Sequence, residues 1–356
     1  MRFEDHYQHL VDLVLPLIAA ELDLHGKKLP PHLREVSGSY LLRPGKCLRP
    51  VLLLLSCEAA GGAAEKALPA AAAVELFHTW TLLHDDVIDH DSLRRGQETG
   101  HVRGARLGRE SFQLAEEQAA DYGQSLAILA GDVLQGVVLH LMTKLNALPP
   151  QVCLELLADL SGRLNPELLA GEQLDVELAC RPLEQITEAE ILEMMRLKTG
   201  ALLGYCAATG ATIGAAPADG GSLPDALRQF AEACGIAFQL QDDILGIIGA
   251  EETLGKNIGS DLREGKRTLL LVKTWRQSGE AQRAVLNASL GNSEASAQQV
   301  VDAMSIIANS EALRQTSELA EQYQQKALDI LHETMPNSQA RQNLQSWADL
   351  MIKRKR

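Results

Sequence analysis

Apolar positions along this chain recur at intervals of three and four residues, the spacing of helices. From Phe3 to Leu24 they fall at Leu10, Leu13, Val14, Leu17 and Ile18, which predicts a first amphipathic helix kinked at Pro16. Leu42 to Pro50, LRPGKCLRP, reads as a turn, and an apolar helix starts at Val51. A long apolar pattern from Ala72 then runs into HDDVIDHDSLRRG, ending at Gly96. Helical spacing returns over Tyr122 to Leu145, Pro149 to Gly162, Asn165 to Cys180, Thr187 to Gly214 and Pro224 to Ile248, with Gly or Pro between the patterns. Amphipathic helix continues towards Lys355 and a KRKR end. No strand alternation lasts more than a few residues, so the predicted class is all-α, in one domain over residues 1–356. The pattern lapses at about residues 96–123, which are polar, charged and Gly-containing. They read as a long loop with a short helix on it, either a solvated excursion or a lid.

Composition agrees with helix packing. Hydrophobic residues make up 46% of the 356, rich in Ala and Leu, and aromatics only 4%, a balance poorly suited to sheets. A formal charge of -14 and a pI near 5.2 argue against a nucleic-acid partner, whose affinity comes from neutralising phosphates, so any phosphate recognition must be local. The six cysteines, Cys47, Cys57, Cys153, Cys180, Cys206 and Cys234, form no CxxC pair, and no secretory leader is evident. Reduced thiols and a cytoplasmic location are expected. No uninterrupted apolar run reaches the ~18 residues of a membrane span, so no transmembrane segment is expected.

Four aspartates, Asp85, Asp86, Asp89 and Asp91, stand within seven residues at the end of the Ala72 pattern. On a helix Asp85 and Asp89 share a face and Asp86 lies one step round. Like charges so close repel, and an oxygen-seeking cation is the natural compensation. Magnesium suits it, because that ion takes one or two carboxylates and completes its shell with water and substrate phosphates. A lone cluster of this kind is equally a solvated helix end, but a second copy argues otherwise. QLQDDILG, Gln239 to Gly246, again ends an apolar pattern in an Asp pair, Asp242 and Asp243, and a basic loop, GSDLREGKRT, follows from Gly259. Lys46 and Arg49 sit at a helix start, where the helix dipole disfavours cations unless an anion lies between them; two solvated charges are the alternative. Lys198 and Thr199 interrupt an apolar helix and make a plausible phosphate clamp. GEQLDVE adds Glu172, Asp175 and Glu177.

These motifs, in this order and spacing, resemble the all-trans isoprenyl (polyprenyl) diphosphate synthases, farnesyl and geranylgeranyl diphosphate synthases among them. The resemblance covers nearly the whole chain and rests on GKCLRP, His78, DDVID, Arg94-Arg95, Lys198-Thr199, Gln239, Asp242-Asp243, Lys256 and Lys266. It implies an all-helical, isoprenoid-synthase-type bundle around a deep central cavity, working as a homodimer. Lys46, Arg49, His78 and Arg95 would hold the diphosphate of isopentenyl diphosphate. Arg94, Lys198, Thr199, Gln239, Lys256 and Lys266 would hold that of the allylic partner. Asp85, Asp86, Asp89 and Asp242 would carry magnesium, three ions per active site, and with Lys198 form the catalytic set. The implied reaction is a magnesium-dependent 1′-4 head-to-tail condensation in which diphosphate leaves, an allylic cation forms and the isopentenyl double bond attacks it.

Departures and alternatives remain open at this level. The second motif is DDILG, so Gly246 supplies no third carboxylate and Asp261 is a candidate substitute. His78 fits a core histidine as well as a ligand, and Phe77 and Trp80 fit a core as well as a pocket. Below Asp85 on the same helix, Thr81, Trp80 and Phe77 lie roughly 6, 7.5 and 12 Å down at ~1.5 Å per residue. If they form a ruler, the small Thr81 and the two aromatics predict a fifteen- or twenty-carbon product, with twenty favoured. The competing functions are a long-chain polyprenyl diphosphate synthase, a terpene cyclase, which would leave Lys46 and Arg49 unexplained, and a noncatalytic synthase subunit, which should have lost its acidic motifs.

Overall fold

Helix follows helix through residues 2–42, 45–217, 221–248 and 260–352, the residues that the computed structural model describes. Lys256 and the KRKR end lie outside them. The helices, in order, are α1 (Phe3–Gly26), α2 (Pro31–Gly38), α3 (Leu48–Ala59), α4 (Leu68–Ile88), α5 (Gly100–Phe112), α6 (Glu116–Met142), α7 (Pro150–Asp159), α8 (Asn165–Cys180), α9 (Glu188–Met195), α10 (Ala201–Ala215) and α11 (Leu223–Ile248). Beyond them come Ser260–Glu264, Leu269–Gln277, Glu280–Ser289, Ala297–Ala308, Glu311–Thr334 and Gln339–Ile352. The sequence was read as one domain. The chain divides into two compact units, Met1–Leu157 with Cys206–Pro224, and Ala158–Tyr205 with Asp225–Arg356.

In the first unit α4 is apolar on nearly every side. Ala70 to Phe77, Thr79, Trp80 and Leu83 are all buried, as a helix enclosed by others requires. It packs against α1, α3 and α6. Helix α6 is long and apolar enough to cross a membrane by length and composition, but half of that stretch is buried in the protein, facing α2, α4 and α5. It is therefore accounted for as a core helix.

The segment expected to be a loop, 96–123, is mostly helix. Leu93–Arg94 and Gln97–Glu98 pair as a two-stranded hairpin, Leu93 opposite Glu98. Arg95 and Gly96 form its two-residue turn with φ of 53° and 73°, the doubly left-handed turn that a tight hairpin prefers. α5 follows, and α6 starts after only three residues. The glycines that read as breakers are contact points: a Cβ on Gly104 would stand 2.9 Å from the Gly123 Cα, and one on Gly123 would stand 2.1 Å from the His101 carbonyl oxygen. Only residues without side chains let α5 and α6 approach so closely.

In the second unit a core of Ile191, Met195, Leu240, Ile244, Leu269 to Val272, Leu286 and Ile307 joins α9, α11 and the helices after residue 268. Thr187 caps α9 with a reciprocal capping box to Glu190. Among the described residues, two helical runs contain a wider, π-type turn, Leu160–Leu164 between α7 and α8 and Arg196–Gly200 between α9 and α10. Such bulges often mark functional positions, and the second one carries Lys198.

Candidate active site

The first acidic motif is the last turn of α4. Asp89 caps the helix, its N–H bonded to the Asp85 carbonyl at 2.8 Å. His90 follows with φ 57° and the Asp91 N–H returns to the Asp86 carbonyl at 3.1 Å, a Schellman ending with histidine where glycine is usual. That turn keeps Asp91 beside the motif.

One cation that compensates these carboxylates is Arg94, from the hairpin. Its Nε donates to Asp86 Oδ1 at 2.7 Å, Nη2 donates to the same oxygen, and Nη2 also lies 3.4 Å from Asp85 Oδ2 and 3.7 Å from Asp91 Oδ2. Asp86 is fully buried and its other oxygen accepts from the Tyr40 hydroxyl, which in turn accepts the Gly100 N–H at 3.0 Å. Burial raises the Asp86 pKa although Arg94 and Tyr40 oppose it. Arg94, despite burial, is held more firmly protonated by Asp86 and Asp85. Both oxygens of Asp86 are engaged, while Asp85 and Asp89, four residues apart and each half-buried, share one face of this turn.

Further up α4 lies a basic pocket. Glu75 is buried and Arg49, at the start of α3, is half-buried, with no hydrogen-bond partner for its buried Nε. Burial lowers the Arg49 pKa while the Glu75 charge opposes the fall, and burial raises the Glu75 pKa against the pull of Arg49 and Arg95. His78 is driven well below its usual pKa, by burial first and then by Arg49, Arg95 and Arg94. It stands as a neutral imidazole among three guanidiniums. The Arg95 guanidinium covers Gly45, with Nη2 2.5 Å from where a Cβ would be. Lys46 is next in the chain, its side chain exposed and its carbonyl accepting from the Tyr7 hydroxyl. Arg49, His78, Arg94 and Arg95 are thus brought together, with Lys46 adjacent to Arg95.

Of the three residues proposed as a ruler, Trp80 packs towards α6. Phe77 and Trp80 are buried and meet edge to face, ring centres 4.9 Å apart. Trp80 and His84 lie over Gly131 of α6, where a Cβ would stand 2.9 Å from Trp80 Cδ1 and 2.1 Å from His84 Nε2. Trp80 therefore fills the seam between α4 and α6. Thr81 is half-buried and donates to the His78 carbonyl at 2.8 Å.

The second unit holds its own constellation. Lys198 projects from the π-type turn to Asp175 at 2.6 Å and Glu172 at 3.1 Å, both on α8. Thr199 lies 3.4 Å from the Gln239 Oε1, and the Gln239 amide donates to Asp243 at 3.3 Å. Asp243 is buried, its Oδ2 without a hydrogen-bond partner, and its pKa is well raised by burial and by Asp261. Asp261 reaches Gly246: its Oδ2 is 3.3 Å from where a Gly246 Cβ would be, beside the position of the missing third carboxylate. The Lys266 charge acts on Asp243, and its ammonium lies 3.5 Å from Glu264. Asp242 is half-buried next to this set.

Two contributors escaped the sequence reading. Tyr40 carried no local signal. Glu75 did: it is a lone carboxylate in the apolar run AAVELFH, one helical turn before His78.

The polyprenyl synthetase family profile matches residues 30–307, a span that includes the GKCLRP turn and both acidic motifs. The chain belongs to the polyprenyl synthetase family. It is an isoprenyl diphosphate synthase, a trans-prenyltransferase. The geranylgeranyl diphosphate synthase of Sulfolobus acidocaldarius is 34% identical over 337 residues, 94% of this chain and 93% of that one. Among solved structures, the geranylgeranyl pyrophosphate synthetase of Pyrococcus horikoshii superposes with a TM-score of 0.83 at 29% identity, covering 100% of both chains. The geranylgeranyl pyrophosphate synthase of Corynebacterium glutamicum, complexed with isoprenyl diphosphate and magnesium, gives 0.85 at 26% identity, again over 100% of both. The all-helical class expected for this synthase is the one found.

Proposed function

We propose that this synthase joins isopentenyl diphosphate head to tail to an allylic prenyl diphosphate and stops at a short all-trans product, geranylgeranyl diphosphate ahead of farnesyl diphosphate. The observation that carries it is the closeness of two groupings around α4, the carboxylates Asp85 and Asp89 on one face and a basic cluster of Arg49, Arg94, Arg95 and neutral His78. Anions on a metal and an anion on cations are what two diphosphate substrates need. The names of the similar relatives support the short product.

The donor set fits magnesium, since it offers hard carboxylate oxygens and no sulfur or nitrogen. In the first unit Asp85 and Asp89 would hold magnesium, with Asp86 holding Arg94 and the turn in position; in the second Asp242 would, with Asp261 in the place that Gly246 leaves. Three ions per site is the proposed count. When bound, magnesium supplies the positive charge that lets diphosphate leave. Arg94, Lys198, Thr199, Gln239 and Lys266 bind the allylic diphosphate and take up its growing charge, and Lys256 joins them. Lys46, Arg49, Arg95 and His78 bind the isopentenyl diphosphate, His78 through an N–H of its neutral ring. The allylic C–O bond breaks with its electron pair on oxygen, the isopentenyl double bond forms the new C–C bond, and a proton leaves to the departing diphosphate. No protein nucleophile takes part.

A homodimer is proposed on the outward strip of α6, where Ile128, Leu129 and Leu139 are 42 to 50% exposed. Six free cysteines suit the proposed cytoplasmic location. The deciding experiment incubates the purified protein with magnesium, isopentenyl diphosphate and an allylic primer and chromatographs the dephosphorylated products. A twenty-carbon alcohol is expected. A main product of thirty carbons or more, or none at all, overturns the reading.

A further inference from the structure

Away from the acidic motifs, the ends of α1 and α6 bring together a carboxylate and two imidazoles. Glu21 and His25 are one turn apart on α1, and His140 lies in the last turn of α6. One ligand atom from each lies within 4.8 Å of the others. Glu21 is 5% exposed; Lys144 takes its Oε1 at 2.6 Å, while Oε2 has no hydrogen-bond partner. The His25 Nε2 likewise has none, although it lies 3.8 Å from that oxygen. A proton does not bridge such a gap. An ion with bonds of ~2.0–2.1 Å on either side does, with a small contraction.

The two rings support the same reading. Their centres are 5.0 Å apart with planes at 73°, and two imidazoles on one tetrahedral ion at ~2.0 Å have ring centres about 5 Å apart. His25 also lines a cleft of about 170 Å³ with Leu22, Gly26, Val133 and Val137, an entry for water or an ion. We propose that Glu21, His25 and His140 form a second metal site, for a borderline divalent cation of the zinc type, which staples the end of α1 to the end of α6. Two nitrogens and one oxygen disfavour magnesium there. The fourth position is left to water, and the neighbouring Lys144 limits the affinity by its charge.

The test uses tag-free, chelator-stripped protein in excess magnesium, which occupies the acidic motifs, titrated with cobalt(II). The expected result is one equivalent of tetrahedral d–d absorption that zinc displaces, persisting in Asp85→Ala. In His140→Gln, checked for folding by circular dichroism, binding should weaken about tenfold or more. A parallel thermal melt should show zinc raising the wild-type midpoint above that of the variant. His25→Gln serves as the second variant if His140→Gln is unstable. Absence of the band, a band unchanged in the histidine variants, or one lost in Asp85→Ala overturns the site.

Discussion

If Arg94 is the resting counter-charge of the first acidic motif, replacing it should make the protein depend on magnesium for stability. In Arg94→Gln, Asp86, fully buried, loses two hydrogen bonds, and Asp85 and Asp91 lose a cation within 3.7 Å. Removing one partner of a buried pair costs about 3–5 kcal/mol. The Arg94 side chain is 21% exposed, so the lower end, about 3 kcal/mol, is the fitting value. That corresponds to a fall in midpoint on the order of 6 °C. Magnesium at a hundred times its dissociation constant restores about 2.7 kcal/mol. In the wild type the ion must first displace Arg94, so its gain is smaller. Thermal melts of both proteins, with a chelator and across a magnesium series, measure the two effects. The same magnesium-dependent rise in wild type and variant would refute the idea that Arg94 and the metal compete for these carboxylates.

Product length separates Phe77 from Trp80. Phe77→Ala should lengthen the product by one or more isoprene units, whereas Trp80→Ala should leave it unchanged and cost about 3–5 kcal/mol in urea unfolding, as a lost seam residue; a longer product from Trp80→Ala counts against the placement. His78 is neutral in the fold with a pKa well below its unfolded value, so stability it contributes is complete above about pH 6.5 and lost as pH falls. Between pH 8 and 5.5 the wild type should lose more stability than His78→Gln, by on the order of 1 kcal/mol, and parallel denaturation slopes would contradict the depressed pKa. Asp261→Asn should slow turnover about 10–100-fold, with Asp242→Ala slower still; full activity in Asp261→Asn would mean that it does not replace the carboxylate absent at Gly246.

Helical spacing made most of the fold legible, and α1, α8 and α11 fall within or close to the windows it predicts. It failed over 96–123 for a specific reason. Arg103, Arg106 and Arg109 give α5 a charged face, which in place pairs with Glu35, Glu98, Glu110 and Glu116. Gly104 and Gly123 look like breakers along the chain, yet serve as the contact between two helices. Periodicity cannot tell those uses of glycine apart, because the difference lies in a partner distant along the chain. The acidic motifs were legible because four-residue spacing alone puts Asp85 and Asp89 on one face. Their partners were not. Arg94 was singled out from its place in the order of motifs, but that it rests on Asp86, and that Tyr40 closes the other side, depends on how the turn after α2, α4 and the hairpin meet.

Those partners explain how charged groups are compensated within each unit. Arg94 rests on Asp85 and Asp86 in one unit; Lys198 rests on Asp175 and Glu172 in the other. Among the described residues, Arg94, Lys198 and Lys266, all assigned to the allylic diphosphate, each lie against carboxylates, which spares them the several kcal/mol that a bare buried charge costs. On the proposed assignment, arrival of a metal-bound diphosphate would exchange partners, cation to phosphate and, at α4, carboxylate to metal, and Arg94 and Lys198 would stay paired. The exchange would favour the loaded substrate over either component, since an ion alone would have to evict Arg94 and a bare diphosphate would have to draw Arg94 or Lys198 away from its carboxylates. Selectivity for the metal–diphosphate pair would then follow from the same ion pairs that hold the turn together.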